Sequence, residues 1–194
     1  MTIRKGDAWG EPIGVESDIP IASSDVEISQ LYRTGAPAIC VTGGDLRRSL
    51  GGAPVGVSER LGYPIDVLEV IVGGSSFFAA AHVVCRRIGW AGEFFVGMNA
   101  SHSGHWNLGP KAHPNDGLVD VTFGSLPLRQ RLLARQRVGL GTHVPHPLLT
   151  TRRTRHVDHQ FDRPVPMYVD GVSVGRFEQF ELRVHSDAVT IVLG

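Results

Sequence analysis

Two glycine-rich turns carry aspartates that could take part in phosphate or metal chemistry. Thr42-Gly43-Gly44-Asp45 stands before a predicted short helix, so its hydroxyl and backbone N–H groups could face an anion at the positive end of that helix. Asp116, in the segment HPNDGL, could bind a hard cation together with neighbouring carbonyl oxygens. An ordinary structural turn accounts for the first segment at least as well, and NDG is more often simply a type I′ turn, so both interpretations stay open.

The chain has nine histidines, and four of them form two pairs spaced three residues apart, His143 with His146 and His156 with His159. Zinc needs three or four ligands that converge on the ion. Residues three apart share a face on a helix, which prolines exclude at the first pair, and they point to opposite faces of a strand. We therefore expect surface or core histidines, with a zinc site as the alternative.

Between Asp120 and Asp158 the sequence has no acidic residue but seven arginines: Arg129, Arg131, Arg135, Arg137, Arg152, Arg153 and Arg155. The simplest interpretation is a solvated basic face. The alternatives are contact with a nucleotide phosphate or with an anionic membrane surface, where each such side chain contributes about 1 kcal/mol. Nucleic-acid binding is not expected, because no aromatic residue interleaves these arginines and because 19 basic residues balance 19 acidic ones.

The elements that must position these residues change in character along the chain. Up to about residue 52, the pattern predicts a short α/β unit: an apolar run at 19–22, a helix after Ser24-Asp25, a strand at 38–41 and a helix at 46–50. From residue 65 onward it predicts strands. Apolar runs at 65–72 and 76–85 flank Gly73-Gly74, which is typical of a hairpin.

Further strands are predicted at 93–100, 118–123, 155–161, 165–169, 177–184 and 188–193, with one helix at 126–138 between them. A chain of 194 residues with 24 glycines and 12 prolines therefore predicts an α+β protein, mainly an antiparallel β-sandwich with a short N-terminal α/β unit. The longest apolar stretch, 65–85, is interrupted by charged and polar residues, and the N-terminus carries no apolar leader. We therefore expect no membrane span and a cytoplasmic location.

Taken together and in order, these segments resemble the catalytic domain of the diacylglycerol kinase family, which includes bacterial lipid kinases and sphingosine kinases. Residues 42–51, TGGDLRRSLG, resemble the family's GTGNDFARTLG segment, and residues 109–121, GPKAHPNDGLVDV, resemble its P-x-A-x-x-x-DGxLDV segment. Val169-Asp170-Gly171-Val172 falls where the family has LDGE. The likeness covers roughly residues 19 to 194.

The resemblance implies a two-part architecture and a set of site residues. Residues 1–52 would be a truncated remnant of the lobe that holds ATP, and residues 53–194 a β-sandwich domain that completes the cleft. The Asp116 carboxylate, with the backbone carbonyls of His113 and Leu118, would hold a structural Mg²⁺ ion. The acid of the LDGE turn would be the general base that takes the proton of a lipid hydroxyl. The implied nucleotide-binding residues are Ser23, Ser24, Asp25, Thr42, Gly43, Gly44 and Asp45.

The chain departs from the family at the residues that would grip ATP. Ser23-Ser24-Asp25-Val26-Glu27 stands where the family has GGDGT, and the strands that precede this loop in the family have no counterpart in the sequence. Val172 replaces the glutamate at the base position, which leaves Asp170 or Asp120 as the candidate catalytic residue. We therefore expect a catalytically degenerate, lipid-kinase-like protein that binds a lipid, a phosphorylated small molecule or a partner protein.

Two other hypotheses stay open at this point. The chain could be an active ATP-dependent lipid kinase that uses Mg²⁺ and completes its site by forming a homodimer. It could also be a non-catalytic β-sandwich module that holds anionic membranes through the arginines of 129–155.

Overall fold

The computed structural model describes residues 9–13, 18–51 and 61–194. The elements within these ranges are, in chain order, β1 Glu11–Pro12, β2 Ile21–Ala22, α1 Asp25–Arg33, β3 Ala38–Val41, α2 Gly44–Leu50, β4 Leu61–Val72, β5 Ser75–Ala79, β6 His82–Cys85, β7 Glu93–Met98, β8 Val119–Ser125, α3 Leu128–Arg137, β9 Leu149–Thr154, β10 His156–Val169 and β11 Val172–Leu193.

The strands form a single eleven-stranded sheet within the described ranges. Its main path runs β1-β4-β11-β10-β6-β7-β8-β9, and every pairing on that path is antiparallel. On one side, β2 and β3 add parallel pairings beside β11, while β5 pairs with β4. The sheet curls into a sandwich-like half-barrel, which confirms the predicted, mainly antiparallel α+β fold.

Apolar side chains form three buried clusters around this sheet. The first lies inside the curl and includes Phe95 and Leu182. The second includes Ile28 and Ile191 and packs α1 and α2 against the sheet. The third lies on the other face of β6 and β7 and includes Phe94, and Ala134 of α3 packs against it. Because successive side chains of a strand point to opposite faces, β7 contributes to the first and the third clusters and is buried on both sides.

The hairpin predicted at Gly73-Gly74 is confirmed, and both glycines have the positive φ that a tight turn requires (+57° and +79°). The single strand predicted over 76–85 is wrong. It breaks at Ala80 and Ala81 into β5, which pairs with β4, and β6, which pairs with β7 and β10. The break has a physical cause, because the N–H groups of these two alanines donate to a carboxylate rather than to a neighbouring strand.

The N-terminal α/β unit shares the sheet of the sandwich, since β3 pairs with β11 over Thr190–Leu193. The predicted division into 1–52 and 53–194 falls at 52–60, outside the described residues, and stays a prediction. Among the described helices, none is long and apolar enough to cross a membrane.

Candidate functional site

The turn between β10 and β11 presents the carboxylate of Asp170 to four hydrogen-bond donors. One oxygen accepts from the Ser29 hydroxyl and from the backbone N–H of Ala80, both at 2.8 Å. The other accepts from the N–H groups of Ala81 (2.9 Å) and His82 (3.0 Å). Each oxygen thus has two donors. This carboxylate therefore ties α1, β5 and β6 to the turn.

Asp25 places a carboxylate at the N-terminus of α2, although it belongs to α1. The carboxylate accepts the backbone N–H groups of Asp45 (2.7 Å) and Leu46 (3.0 Å), and Asp25 is only 7% exposed. Burial, followed by the negative charge of Asp170, raises the pKa of Asp25 to about 6. The two N–H groups are those that a helix end offers to an anion, so the chain itself supplies an anion there.

A second carboxylate, that of Glu27, lies at the start of α1. Ser24 is the N-cap residue, and its hydroxyl accepts the N–H of Glu27 at 3.4 Å. The Glu27 carboxylate in turn accepts the N–H of Ser23 at 2.6 Å and its hydroxyl at 3.0 Å. This reciprocal pattern is a variant of the capping box. Both helices of the N-terminal unit therefore begin with a carboxylate from the chain.

The two segments predicted to bind nucleotide are in direct contact. A Cβ atom at Gly43 would lie 2.3 Å from the carbonyl oxygen of Ser23, and one at Gly44 would lie 2.5 Å from Oδ1 of Asp25. Gly44 also has a φ of +96°, which favours glycine. Thr42 is exposed, and its hydroxyl donates to a carbonyl of β2 at 3.2 Å. The nucleotide-binding role of these residues stays a prediction.

Asp45 and His82 form a polar centre between α2 and β6. The carboxylate of Asp45 lies 3.3 Å from Nε2 of His82 and accepts the N–H of Gly104 at 2.9 and 3.0 Å. The hydrogen bond with His82 lowers the pKa of Asp45. Burial opposes the charged form of His82, but its hydrogen bond with Asp45 and the nearby aspartate charges outweigh this effect and raise the pKa of His82. Its Nδ1 has no hydrogen-bond partner among the described residues.

Two adjacent cavities, together called the channel, lie between this polar centre and α3. Trp90, Trp106 and Leu108 line both cavities. The outer cavity, of about 260 Å³, lies between α3 and strands β7 and β8. Its remaining walls are mainly apolar and include Phe94, Val96, Leu126, Leu132, Ala134 and Val138.

The inner cavity, of about 310 Å³, is more polar and reaches His82 and Gly104. Arg86 lines it, and its guanidinium lies 5.4 Å from the ring centroid of Trp90 and 5.3 Å from that of Tyr168. Stacking between two rings holds the guanidinium in place. The channel therefore has an apolar end and an end that carries a fixed positive charge.

Asp25, Asp45 and Asp170 form one acidic cluster, and Asp116 belongs to a second one. Its Oδ1 accepts the N–H of Leu118 at 3.0 Å, and its Oδ2 accepts a hydrogen bond from the guanidinium of Arg153. The Nε of Arg153 lies 3.0 Å from Oδ1 of Asp120. Burial raises the pKa of Asp116, and the positive charges of Arg153 and His113 act against it. The arginine thus bridges two carboxylates.

Asp66 fixes the loop that carries Asp116. Its carboxylate accepts the N–H groups of Gly117 (2.7 Å) and Asp187 (3.0 Å), and burial raises its pKa to about 6. The buried amide of Asn99 donates to the carbonyls of Asp66 (2.8 Å) and Ala80 (2.7 Å). Since the N–H of Ala80 donates to the Asp170 carboxylate, Asn99 connects the two acidic clusters.

The second histidine pair of the sequence does not converge on one point. The ring of His159 lies against Phe95, with 4.9 Å between ring centroids, whereas His156 is exposed. His156, Asp158 and Glu181 offer ligand atoms within 4.8 Å of one another, but Arg183 pairs with the same Glu181 carboxylate. An arginine therefore competes with any cation at this surface group.

Sequence reasoning missed the polar partners that complete these clusters. Ser29 is 141 residues from Asp170, and Arg153 is 37 residues from Asp116, so neither contact has a local signal. The sequence did carry a signal for His82, which stands inside an apolar run. A buried histidine needs a hydrogen-bond partner, so its position predicts a polar contact in the core.

The curled antiparallel sheet with its short α/β unit has the fold of diacylglycerol kinases. Three solved structures of proteins from Bacillus anthracis strain Sterne, one named a diacylglycerol kinase and two given that name provisionally, cover 88% of the chain. Their TM-scores are 0.58, 0.56 and 0.57 at 11%, 11% and 12% identity, and 82%, 81% and 82% of the respective chains are covered.

The sequence itself gives the family. The model of the YegS C-terminal NAD kinase β-sandwich-like domain matches residues 63–193, which is more than half of the chain. The chain belongs to this family, and the resemblance to diacylglycerol-kinase-like lipid kinases is confirmed. No curated protein matches the sequence.

Proposed function

We propose that this lipid-kinase-like protein binds an amphipathic lipid in its channel and does not transfer phosphate on its own. The observation that carries the proposal is the pair of adjacent cavities, one mainly apolar and the other lined by Arg86, His82 and Gly104. Burial of an acyl chain against the tryptophans and leucines would drive binding at roughly 25 cal/mol per Å² of apolar surface. The polar end would orient the head group.

The helix ends of the N-terminal unit support the absence of ATP binding. A phosphate group is stabilised at a helix N-terminus by free backbone N–H groups. In this chain the Asp25 carboxylate accepts two such groups of α2, and the Glu27 carboxylate lies at the start of α1, where it accepts the N–H of Ser23. A triphosphate at this place would displace these carboxylates and would stand beside their negative charge.

The candidate bases also argue against phosphoryl transfer. A general base must take the proton of the attacking hydroxyl, and for this it needs a free lone pair. The Asp170 carboxylate already accepts four hydrogen bonds. In Asp120, Oδ1 is paired with Arg153, and the buried Oδ2 has no hydrogen-bond partner among the described residues. A free lone pair is therefore missing at Asp170, whereas Asp120 is held beside a positive charge that stabilises its unprotonated form. Val172 is 49% exposed at the turn, but its side chain has no acceptor.

Lipid binding is tested by titrating the protein with a fluorescent fatty acid. Ala134→Trp fills the outer cavity from α3 and should weaken binding at least about tenfold, since it takes the space of the acyl chain. Gln136→Trp adds the same ring on the exposed side of α3 and should leave binding unchanged. Equal affinity for the wild type and both variants would rule out the channel as the binding site.

A second candidate function, contact with an anionic membrane, is favoured by the surface of α3 and the residues after it. Leu128, Leu132 and Leu140 are 62%, 55% and 80% exposed. Three exposed arginines of α3 accompany them: Arg129, Arg135 and Arg137. Exposed leucines beside arginines are typical of helices that lie in the lipid head-group region.

Cosedimentation with vesicles tests this contact. Vesicles that contain phosphatidylserine should bind the protein, and added salt should release it, because the arginine contribution is electrostatic. Replacing the three arginines by glutamine should abolish binding. Sedimentation that depends on neither anionic lipid nor salt would exclude this function.

A further inference from the structure

Arg153 occupies the acidic cluster at which the family resemblance implies a metal ion. The implied ligands are the Asp116 carboxylate and the carbonyls of His113 and Leu118. In this chain, one oxygen of Asp116 accepts a hydrogen bond from Arg153 and the other accepts the N–H of Leu118. A Mg²⁺ ion requires about six oxygen ligands in near-octahedral geometry. Each oxygen of the Asp116 carboxylate already has a donor, and the guanidinium places a positive charge where the ion would stand.

The position of Arg153 follows from the register of the sheet. β8 and β9 pair antiparallel, and Asp120 stands directly opposite Arg153. Side chains that are directly opposite lie on the same face, so the strand pairing brings the guanidinium to the carboxylate. Its Nε lies 3.0 Å from Oδ1 of Asp120. Arg152, the preceding residue, points to the other face and lies 5.7 Å from the ring centroid of Phe123.

The charges of the cluster require a cation. Asp66, Asp116 and Asp120 are each less than one-fifth exposed, and Asp66 and Asp116 are buried. Buried carboxylates without a positive partner are strongly unfavourable. Arg153 contacts two of the three, and its guanidinium offers donors in a fixed planar geometry that suits two carboxylates.

We propose that Arg153 is the built-in cation of the Asp116 loop, and that this chain holds the loop without a metal ion. The proposal does not depend on lipid binding, and it holds whether or not the channel takes a ligand. It predicts that the stability of the protein is independent of divalent metal and depends on one particular arginine.

The test compares thermal unfolding in EDTA and in millimolar MgCl₂, together with a Mn²⁺ titration followed by electron paramagnetic resonance. The wild type should have the same Tm in both buffers and no saturable Mn²⁺ binding. Arg153→Ala should lower the Tm by at least about 5 °C, because it removes the guanidinium from the buried carboxylate of Asp116 and the partly buried one of Asp120. Arg152→Ala is the matched control, on the same strand but outside the cluster, and should change the Tm much less.

Two results would overturn the proposal. One is saturable Mn²⁺ binding by the wild type that Asp116→Asn abolishes, which would show that the carboxylate holds a metal. The other is a Tm of Arg153→Ala no lower than that of Arg152→Ala. The wild-type titration decides the question even if Arg153→Ala fails to fold.

Discussion

At the scale of single residues, hydrogen bonds hold the Asp170 carboxylate in the turn between β10 and β11. Its two oxygens accept four hydrogen bonds, three of them from consecutive backbone N–H groups. Hydrogen bonds to a charged acceptor contribute about 1.5–3 kcal/mol each. Its place in the LDGE-like turn therefore coincides with a structural role.

Asp170→Asn should lower the free energy of unfolding by about 3 kcal/mol. The variant has an amide NH2 group in place of one carboxylate oxygen, and this group cannot accept the hydrogen bonds that the oxygen accepts. Asp162→Asn, on the exposed part of β10, is the control and should change stability little. Urea unfolding monitored by tryptophan fluorescence measures both. Equal stability of the two variants would contradict the structural role of Asp170.

The buried carboxyl of Asp25 predicts a particular dependence on pH. Its pKa rises from 3.8 to about 6 on folding, so the folded protein holds this proton more tightly than the unfolded chain does. The associated stability is present below pH 4 and is lost as the pH rises through about 6.

Asp25→Asn cannot titrate at this position. The wild type should therefore gain stability relative to the variant as the pH falls from 7 to 4, by up to about 3 kcal/mol. Asp170, Asp45 and His82 face the same group and are unchanged in the variant. Urea unfolding at several pH values gives the difference, and a difference that grows with rising pH would contradict the burial of an ionisable Asp25.

At the scale of elements, the sequence predicts those helices, strands and turns that depend on neighbouring residues. The glycine pair of the β4–β5 hairpin, the strand at Ala38–Val41 and the helix over 128–137 were predicted within a few residues. The break between β5 and β6 was not, because it depends on Asp170 about 90 residues away. The long-range partners Arg153 and Ser29 were out of reach for the same reason. The register of β8 and β9 brings Arg153 to its carboxylate, and the packing of α1 brings Ser29 to Asp170.

The start of α2 gives a prediction at this scale. Gly44 has a φ of +96° and no room for a Cβ beside Asp25, so Gly44→Ala should cost about 2 kcal/mol or more. Gly139→Ala, where a Cβ would meet nothing within 4 Å, should have little effect. Thermal unfolding compares the two, and a neutral Gly44→Ala would contradict the contact between the two N-terminal loops.

At the scale of the whole molecule, β11 joins the regions that the sequence divides into two parts. This strand of 22 residues pairs with β10, β4 and β3, and it places Leu182 in the first cluster and Ile191 in the second. The two parts therefore share backbone hydrogen bonds along a single strand.

We expect a single cooperative unfolding transition, because neither cluster can open without breaking pairings of β11. Calorimetry checks this through the agreement of the calorimetric and van't Hoff enthalpies. Two separate transitions, one of them confined to the N-terminal unit, would contradict the shared sheet and would support an independent domain at residues 1–52.

The proposed function combines a lipid in the channel with helix N-termini, in the N-terminal unit, at which the chain's own carboxylates stand in place of a phosphate. Transfer of radiolabelled phosphate from MgATP to dioctanoylglycerol tests this claim most directly. We expect no phosphorylated lipid above a protein-free control. The assay uses a protein preparation that fluorescent fatty acid saturates in the binding titration. Labelled phosphatidic acid formed in proportion to the protein added would contradict it.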